Sequence, residues 1–264
     1  MARGRTQRLL IARPGQGARP DCVIVEEPME IRLDGHLVAT TMRTPGHDFE
    51  LAVGFVHAEG MLGGARVDQV RYCATGSAVD TEFNVVEVGT RGAAPVPTPR
   101  LGTTSSACGL CGSAAIDDLA ERLTPLDSRP DIDAAVLSAV PGRVREMQTL
   151  FEATGSVHAA APFDPATGEV WLVREDIGRH NAVDKVVGRL LLDGRLPATG
   201  AGLLVSGRAS FEMVQKAWAA GFGLVAAVSG PSALAVGTAR RANMALVGFL
   251  REASMNVYSP APLD

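Results

Sequence analysis

Two cysteines in the stretch TTSSACGLCG, Cys108 and Cys111, have the residue type and spacing for metal, redox or sulfur chemistry. A structural zinc site usually takes four ligands. This pair is half of one, because Cys22 and Cys73 lie far apart in the chain and His158 adds only a third ligand. Zinc deaminases combine H-x-E with a later P-C-x-x-C, the glutamate moving the proton. Here Ala160 stands where that glutamate would be, and the cysteines precede the histidine, so deamination has no proton shuttle. A thioredoxin-like dithiol sits early in a strand–helix unit, whereas this pair follows a Pro-, Gly-, Ser- and Thr-rich stretch. A thiol in a glycine-flanked loop suits a fourth chemistry: it holds a persulfide, and the neighbouring thiol resolves it. The amphipathic segment SAAIDDLAERL begins just after Cys111, and a helix start there favours thiolate, although Asp117 and Asp118 oppose this.

A second set of residues reads as an anion site. REDIGRHN places Arg179 and His180, SGRAS places Ser206 and Arg208, and SGPS places Ser232, each between a strand-like and a helix-like segment. Helix starts present free N–H groups, and a guanidinium adds forked hydrogen bonds to phosphate oxygens. The plainer reading makes these serines ordinary N-caps and turn formers. Three polar corners on one sheet edge favour a ligand, because open α/β sheets bind beyond the carboxyl ends of their strands. Neither GxGxxG nor GxxxxGK[ST] occurs, which disfavours a dinucleotide dehydrogenase or a P-loop nucleotidase.

The elements that must hold these residues follow from the patterning. MEIRL and HLVAT, joined by Asp34-Gly35, read as a β-hairpin. Leu51, Phe55, Ala58 and Leu62 share one helical face, which Gly63 and Gly64 end. VRYCATG and TEFNVVEV read as strands, RGAAPVPTPRLG as a connector, and AVPGRVREMQTLFEATG as a helix. Strands at EVWLV, GLLVSG, GLVAAVSG and MALVGFL then alternate with helices, the rhythm of a parallel α/β layer. The expected division is 1–22 as a flexible leader, 23–101 as a small α+β subdomain and 102–264 as a larger domain carrying the C-x-x-C loop. Asp184 and Lys185, adjacent on a helix, cannot face each other, so no mutual salt bridge is expected, and Glu59 is expected to be structural.

Composition bounds the function. The chain has 264 residues, 46% hydrophobic and 20% charged, with a formal net charge of −4, so nothing chain-wide argues for nucleic acid. The arginines at 3, 5, 8, 13 and 19 read as a solvated terminus. LLIA is too short for a signal peptide, and AWAAGFGLVAAV is too short and glycine-broken to span a bilayer. The expected location is the cytoplasm, with thiols reduced and no membrane partner.

Taken together, EEPMEIRLDG, RTPGHDFELAVGFVHAEG, TTSSACGLCG, VREDIGRHNAVDKVVG, SGRASFEMVQKA and LVGFLREASMNVY resemble the formate dehydrogenase accessory sulfurtransferases, the FdhD family, from about Val23 to Tyr258. The resemblance implies an α/β fold, a cytidine-deaminase-like α/β sandwich with a smaller N-terminal α+β subdomain, and a homodimer. It implies an enzyme that accepts sulfur from a cysteine desulfurase as a cysteine persulfide. The sulfur would pass to the molybdenum (or tungsten) bis-molybdopterin guanine dinucleotide cofactor of the formate dehydrogenase catalytic subunit, a cargo and not a permanent cofactor. Cys108 matches the persulfide-bearing position and Cys111 the second thiol. Phe249, Leu250, Arg251, Glu252, Ala253 and Ser254 match the cofactor-binding stretch. Arg179, His180, Ser206, Arg208 and Ser232 are expected as further cofactor contacts, and no metal ligands are assigned. A cofactor escort without a covalent step is the rival reading. SGPSAL departs from the family's usual SAPSSL at Gly230 and Ala233, which puts a hydrogen bond at position 233 in doubt.

Overall fold

A computed structural model of the protein describes residues 4–72, 81–98, 103–104, 123–251 and 254–260. Cys73, Cys108, Cys111, Glu252, Ala253 and all but Leu123 of the amphipathic segment after the cysteine pair lie outside the described residues.

The chain opens with two strands, β1 (Thr6–Arg13) and β2 (Gly17–Ile24), paired antiparallel as an exposed hairpin. Residues read from their arginine content as a loose leader are therefore a β-ribbon up to Ile24, whose turn contains Gly15 and Gly17 at φ 77° and 78°. Strands β3 (Glu27–Leu33) and β4 (His36–Arg43) form the hairpin expected at Asp34-Gly35, where both residues take positive φ, as a two-residue turn requires. With β5 (Gln69–Tyr72), β6 (Val85–Gly89) and β7 (Thr103–Thr104) they make a five-stranded sheet of order β5-β6-β3-β4-β7.

Helix α1 (Asp48–Ala58) packs on this sheet, burying Leu51, Phe55 and Val56 against Met29, Ile31 and Val88. Asp48 and Glu50 in its first turn complement the helix dipole. The helix stops at Ala58, a turn before the expected glycines, because Gly60 already takes φ 70°. Leu62 still joins the core, from the turn that follows.

The larger sheet has six strands in the order β13-β12-β11-β10-β8-β9: β8 (His158–Phe163), β9 (Arg174–Asp176), β10 (Gly202–Val205), β11 (Leu224–Ala227), β12 (Ala245–Arg251) and β13 (Ser254–Ser259). Only β10, β11 and β12 run parallel, and the other three pair antiparallel. EVWLV, expected as a strand, contributes one isolated bridge at Val170, and HAAAPF is the strand instead. Alternate alanines of β8 serve both faces: Ala159 and Ala161 one core, Ala160 the other.

Helices α4 (Arg179–Leu192), α5 (Phe211–Ala219) and α6 (Ala233–Arg241) cover one face of this sheet, and α2 (Ala134–Glu146) covers the other through Leu137, Val140 and Val144. A separate short helix, α3 (Thr149–Thr154), follows α2, so the single helix expected there is two. The whole is a mixed α/β fold in which α4 bears on both the large sheet and α1.

Candidate functional site

A cleft of about 960 Å³ opens at the carboxyl end of β10, between the ends of β12 and β13 and the helices on that face. One wall comes from the strands: Leu250 and Arg251 of β12, Ser254 of β13, His158 of β8 and Ser206 just after β10. The other comes from α2, α3 and their surroundings: Pro141, Gly142, Arg145, Gln148, Phe151 and Ser156.

Strand β12 shifts register against β13 between Leu246 and Val247 and again between Gly248 and Arg251. At the second irregularity Phe249 takes φ 52°, a conformation that costs a bulky side chain and places it 41% exposed. Its ring lies over Gly230, where an added Cβ would come within 2.7 Å of Phe249 Cζ. Gly230 is thus the residue that makes room for this ring. Leu250 is fully buried in the cleft floor, and Arg251 and Ser254 are exposed at its edge.

Ser206 Oγ accepts a hydrogen bond from the Ala159 N–H at 2.8 Å and lies 3.4 Å from His158 Nδ1. Burial pushes the His158 imidazole below its ordinary range, and the nearby charges of Arg179 and His180 push the same way against Asp176. This favours the neutral imidazole.

Beside it, Gly207 separates His158 from Arg179: a Cβ there would meet the His158 ring at 3.4 Å and Arg179 Cδ at 3.7 Å. Arg179 opens helix α4, and burial, reinforced by the like charge of Arg208, lowers its pKa from the ordinary arginine value. Arg179 Nε and Ser210 Oγ are buried without a hydrogen-bond partner among the described residues. Ser210 is the N-cap of α5, yet its hydroxyl does not cap the helix. Two guanidinium groups, an unused hydroxyl and two helix starts thus converge on one corner, an arrangement suited to an anion.

Of the residues singled out from sequence, Ser206, Leu250, Arg251 and Ser254 meet in the cleft, with Arg179 beside its His158 and Arg208 close enough to Arg179 for their charges to interact. His180 instead contacts the Glu212 carboxylate, linking α4 to α5. Ser232 caps α6, its Oγ accepting from Ala235 N–H at 3.2 Å. His158 appears in the sequence only as a third zinc ligand, and the α2–α3 wall carries no sequence signal at all.

Much of REDIGRHNAVDK is structural. Glu175 accepts the N–H groups of Leu150 and Phe151 at 2.9 and 2.8 Å and so anchors the start of α3. Asp176, fully buried, accepts from Thr44 N–H, Gly178 N–H, Asn181 Nδ2 and Lys185 Nζ. Lys185 pairs with Asp176 at 2.7 Å, and Asp184 with Lys216 at 2.7 Å, so the two neighbours face apart as expected. Burial opposes the charge of Lys216, but Asp184 and Glu59 outweigh it and raise its pKa. Glu59 is thereby part of the scaffold.

Comparison with known proteins places these features in a family context. The model of the FdhD/NarQ family matches residues 24–262. A Streptomyces avermitilis protein named Sulfur carrier protein FdhD is 49% identical over 268 residues, covering 96% of this chain and 94% of that one. The Mycobacterium tuberculosis protein of the same name is 46% identical over 256 residues, covering 92% and 91%. A crystal structure from Desulfotalea psychrophila, described as a formate dehydrogenase accessory protein, superposes with a TM-score of 0.73 at 25% identity, covering 97% and 96%.

Proposed function

The chain belongs to the FdhD/NarQ family, and from that premise we propose that it is a sulfur carrier in formate dehydrogenase maturation. Cys108 accepts sulfur from a cysteine desulfurase and hands it to the metal of a bis-molybdopterin guanine dinucleotide cofactor, its cargo. The observation that carries this reading is the cleft. It gathers Leu250, Arg251 and Ser254, the described cleft-lining members of the expected cofactor-binding stretch, beside Ser206 and the polar corner at Arg179, Arg208 and Ser210.

The chemistry balances as two exchanges. The Cys108 thiolate attacks the outer sulfur of the desulfurase persulfide, and the desulfurase cysteine leaves as thiolate. The Cys111 thiolate then attacks the inner sulfur of the Cys108 persulfide. Hydrosulfide leaves toward the metal, and a Cys108–Cys111 disulfide remains, which a cellular dithiol reduces. We expect the working protein to be a cytoplasmic homodimer that meets the formate dehydrogenase catalytic subunit. Incubation with a desulfurase and cysteine is expected to add the mass of one sulfur to the intact protein, and Cys108→Ala to abolish the gain. A gain that persists in Cys108→Ala removes Cys108 from this role.

A further inference from the structure

The β1–β2 ribbon is guarded along one edge and bare along the other. Val25 N–H donates to Arg5 O at 2.9 Å, which fixes the alternation of its ladder. With Thr6 opposite Ile24, the pairs Gln7–Val23, Leu9–Asp21 and Ile11–Arg19 bond across the ribbon. Pro20 and Cys22 on β2, and Arg8, Leu10 and Ala12 on β1, therefore turn their backbone polar groups outward. Pro20 has no N–H to offer, and Cys22 N–H goes to the Asp21 carboxylate at 2.9 Å. Strand β2 is also the one that rests on α3. Strand β1 has neither guard. It pairs with β2 alone among the described residues, and its outer edge carries Leu10, 75% exposed, beside Leu9, 42% exposed. Folded proteins ordinarily blunt such an edge. The ribbon is also basic: Arg8 on one face and Arg13 and Arg19 on the other are exposed, against the single acid Asp21.

We propose that the β1 edge docks an extended, acidic segment of a partner protein by strand addition. The outward N–H and C=O groups of Arg8, Leu10 and Ala12 supply the main-chain bonds, and alternate side chains of the added strand supply selectivity. An added strand presents side chains to both faces. Carboxylates opposite Arg8 and Arg13 therefore each meet a guanidinium, one on either face, with apolar neighbours over Leu9 and Leu10. A membrane surface would meet one face only and leave the edge unbonded. A second β1 would bring further arginines to the same sheet, so a second copy of this chain fits less well. Because β2 rests on α3, whose Phe151 lines the cleft, the docked partner is held beside that cleft. The docking edge itself does not depend on the sulfur chemistry.

Fluorescence polarisation of a labelled synthetic peptide titrated with the full chain tests this. The peptide has the length of β1, with glutamates opposite Arg8 and Arg13 and valine or threonine elsewhere. It is expected to bind with a Kd below about 1 mM, and a version with lysines in place of the glutamates to bind about tenfold more weakly. N-methylation of the peptide amides that face β1 should abolish binding, a control that leaves the protein untouched. Leu10→Pro removes an outward N–H, as Pro20 does on the other edge, and should weaken binding about tenfold, whereas Leu10→Ala keeps that N–H and should lose less. Arg8→Glu combined with Arg13→Glu should reverse the preference toward the lysine peptide. No binding by about 1 mM, equal binding of the N-methylated peptide, or an unreversed preference overturns the docking edge. A parent that sediments as a dimer while Leu10→Pro sediments as a monomer also overturns it, by giving the edge to a second copy. Each of these failures leaves the sulfur-carrier reading standing.

Discussion

Asp176 shows how much of this protein's chemistry-bearing sequence is spent internally. Its carboxylate is fully buried and takes four hydrogen bonds, from the β4–α1 loop, from the start of α4 and from Lys185. Lys185 Nζ also donates to Thr44 O at 3.0 Å, so two parts of the chain some 130 residues apart are clamped by one ion pair. Asp176→Asn keeps the shape but leaves the Lys185 ammonium buried without its counter-charge. We expect a loss of about 3–5 kcal/mol, the usual cost of removing one partner of a buried pair, read as a lower urea midpoint. A variant within about 0.5 kcal/mol of the parent would mean that the carboxylate is not the counter-ion. The sequence of this stretch points to a strand–helix corner and denies an Asp184–Lys185 bridge, and the fold agrees on both. The sequence does not reveal that Asp176, Asn181 and Lys185 point inward, because their partners lie at Met42 and Thr44 and no local spacing encodes them. The cysteine pair is the reverse case: its spacing and composition leave zinc, dithiol and persulfide readings open, and both thiols lie outside the described residues.

Among the elements, the crossing of α1 on α4 is set by two glycines. A Cβ on Gly54 would lie 1.9 Å from Asp184 O, and one on Gly188 would lie 1.8 Å from Glu50 O. Backbone therefore touches backbone, and no side chain can rotate away to relieve a substitution. In an exposed helix, glycine to alanine gains up to about 1 kcal/mol. Here the clash decides the sign, and either Gly54→Ala or Gly188→Ala should destabilise by at least about 1–3 kcal/mol, the range for overpacking. Both act on the same contact, so the double variant should lose clearly less than the two single losses combined, as chemical denaturation can show. Strict additivity would place the two effects at separate sites. The helices themselves were readable from their periodicity. Strand β8 was not, because three alanines give little β-propensity and its neighbours on both faces, not its own side chains, make it a strand.

Across the whole molecule, ion pairs join the part built on the five-stranded sheet to the part built on the six-stranded one. Lys216 on α5 reaches Asp184 on α4 and Glu59 at the end of α1, and the fork of Arg174 on β9 grips Glu50 on α1 at 2.5 and 2.9 Å. Burial works against the Glu50 charge, but the hydrogen bonds and charges of Arg174 and His47 outweigh it and hold the carboxyl down to about 2. A carboxylate whose folded pKa is depressed lends stability that is fully present above its unfolded pKa, here near 4.5, and that is lost as pH falls toward 2. The full contribution is about 3 kcal/mol from a shift of this size. Glu50→Gln cannot ionise, so at neutral pH it should be less stable than the parent by an amount of that order. As pH drops below about 4.5 the parent should lose stability faster than the variant, until the two curves meet near pH 2. Urea unfolding of both proteins between pH 7 and pH 3 measures this gap directly. A gap that stays constant through that window would show that Glu50 keeps its unfolded pKa, and that the junction between the two parts depends on packing at the Gly54–Gly188 crossing and not on this charge.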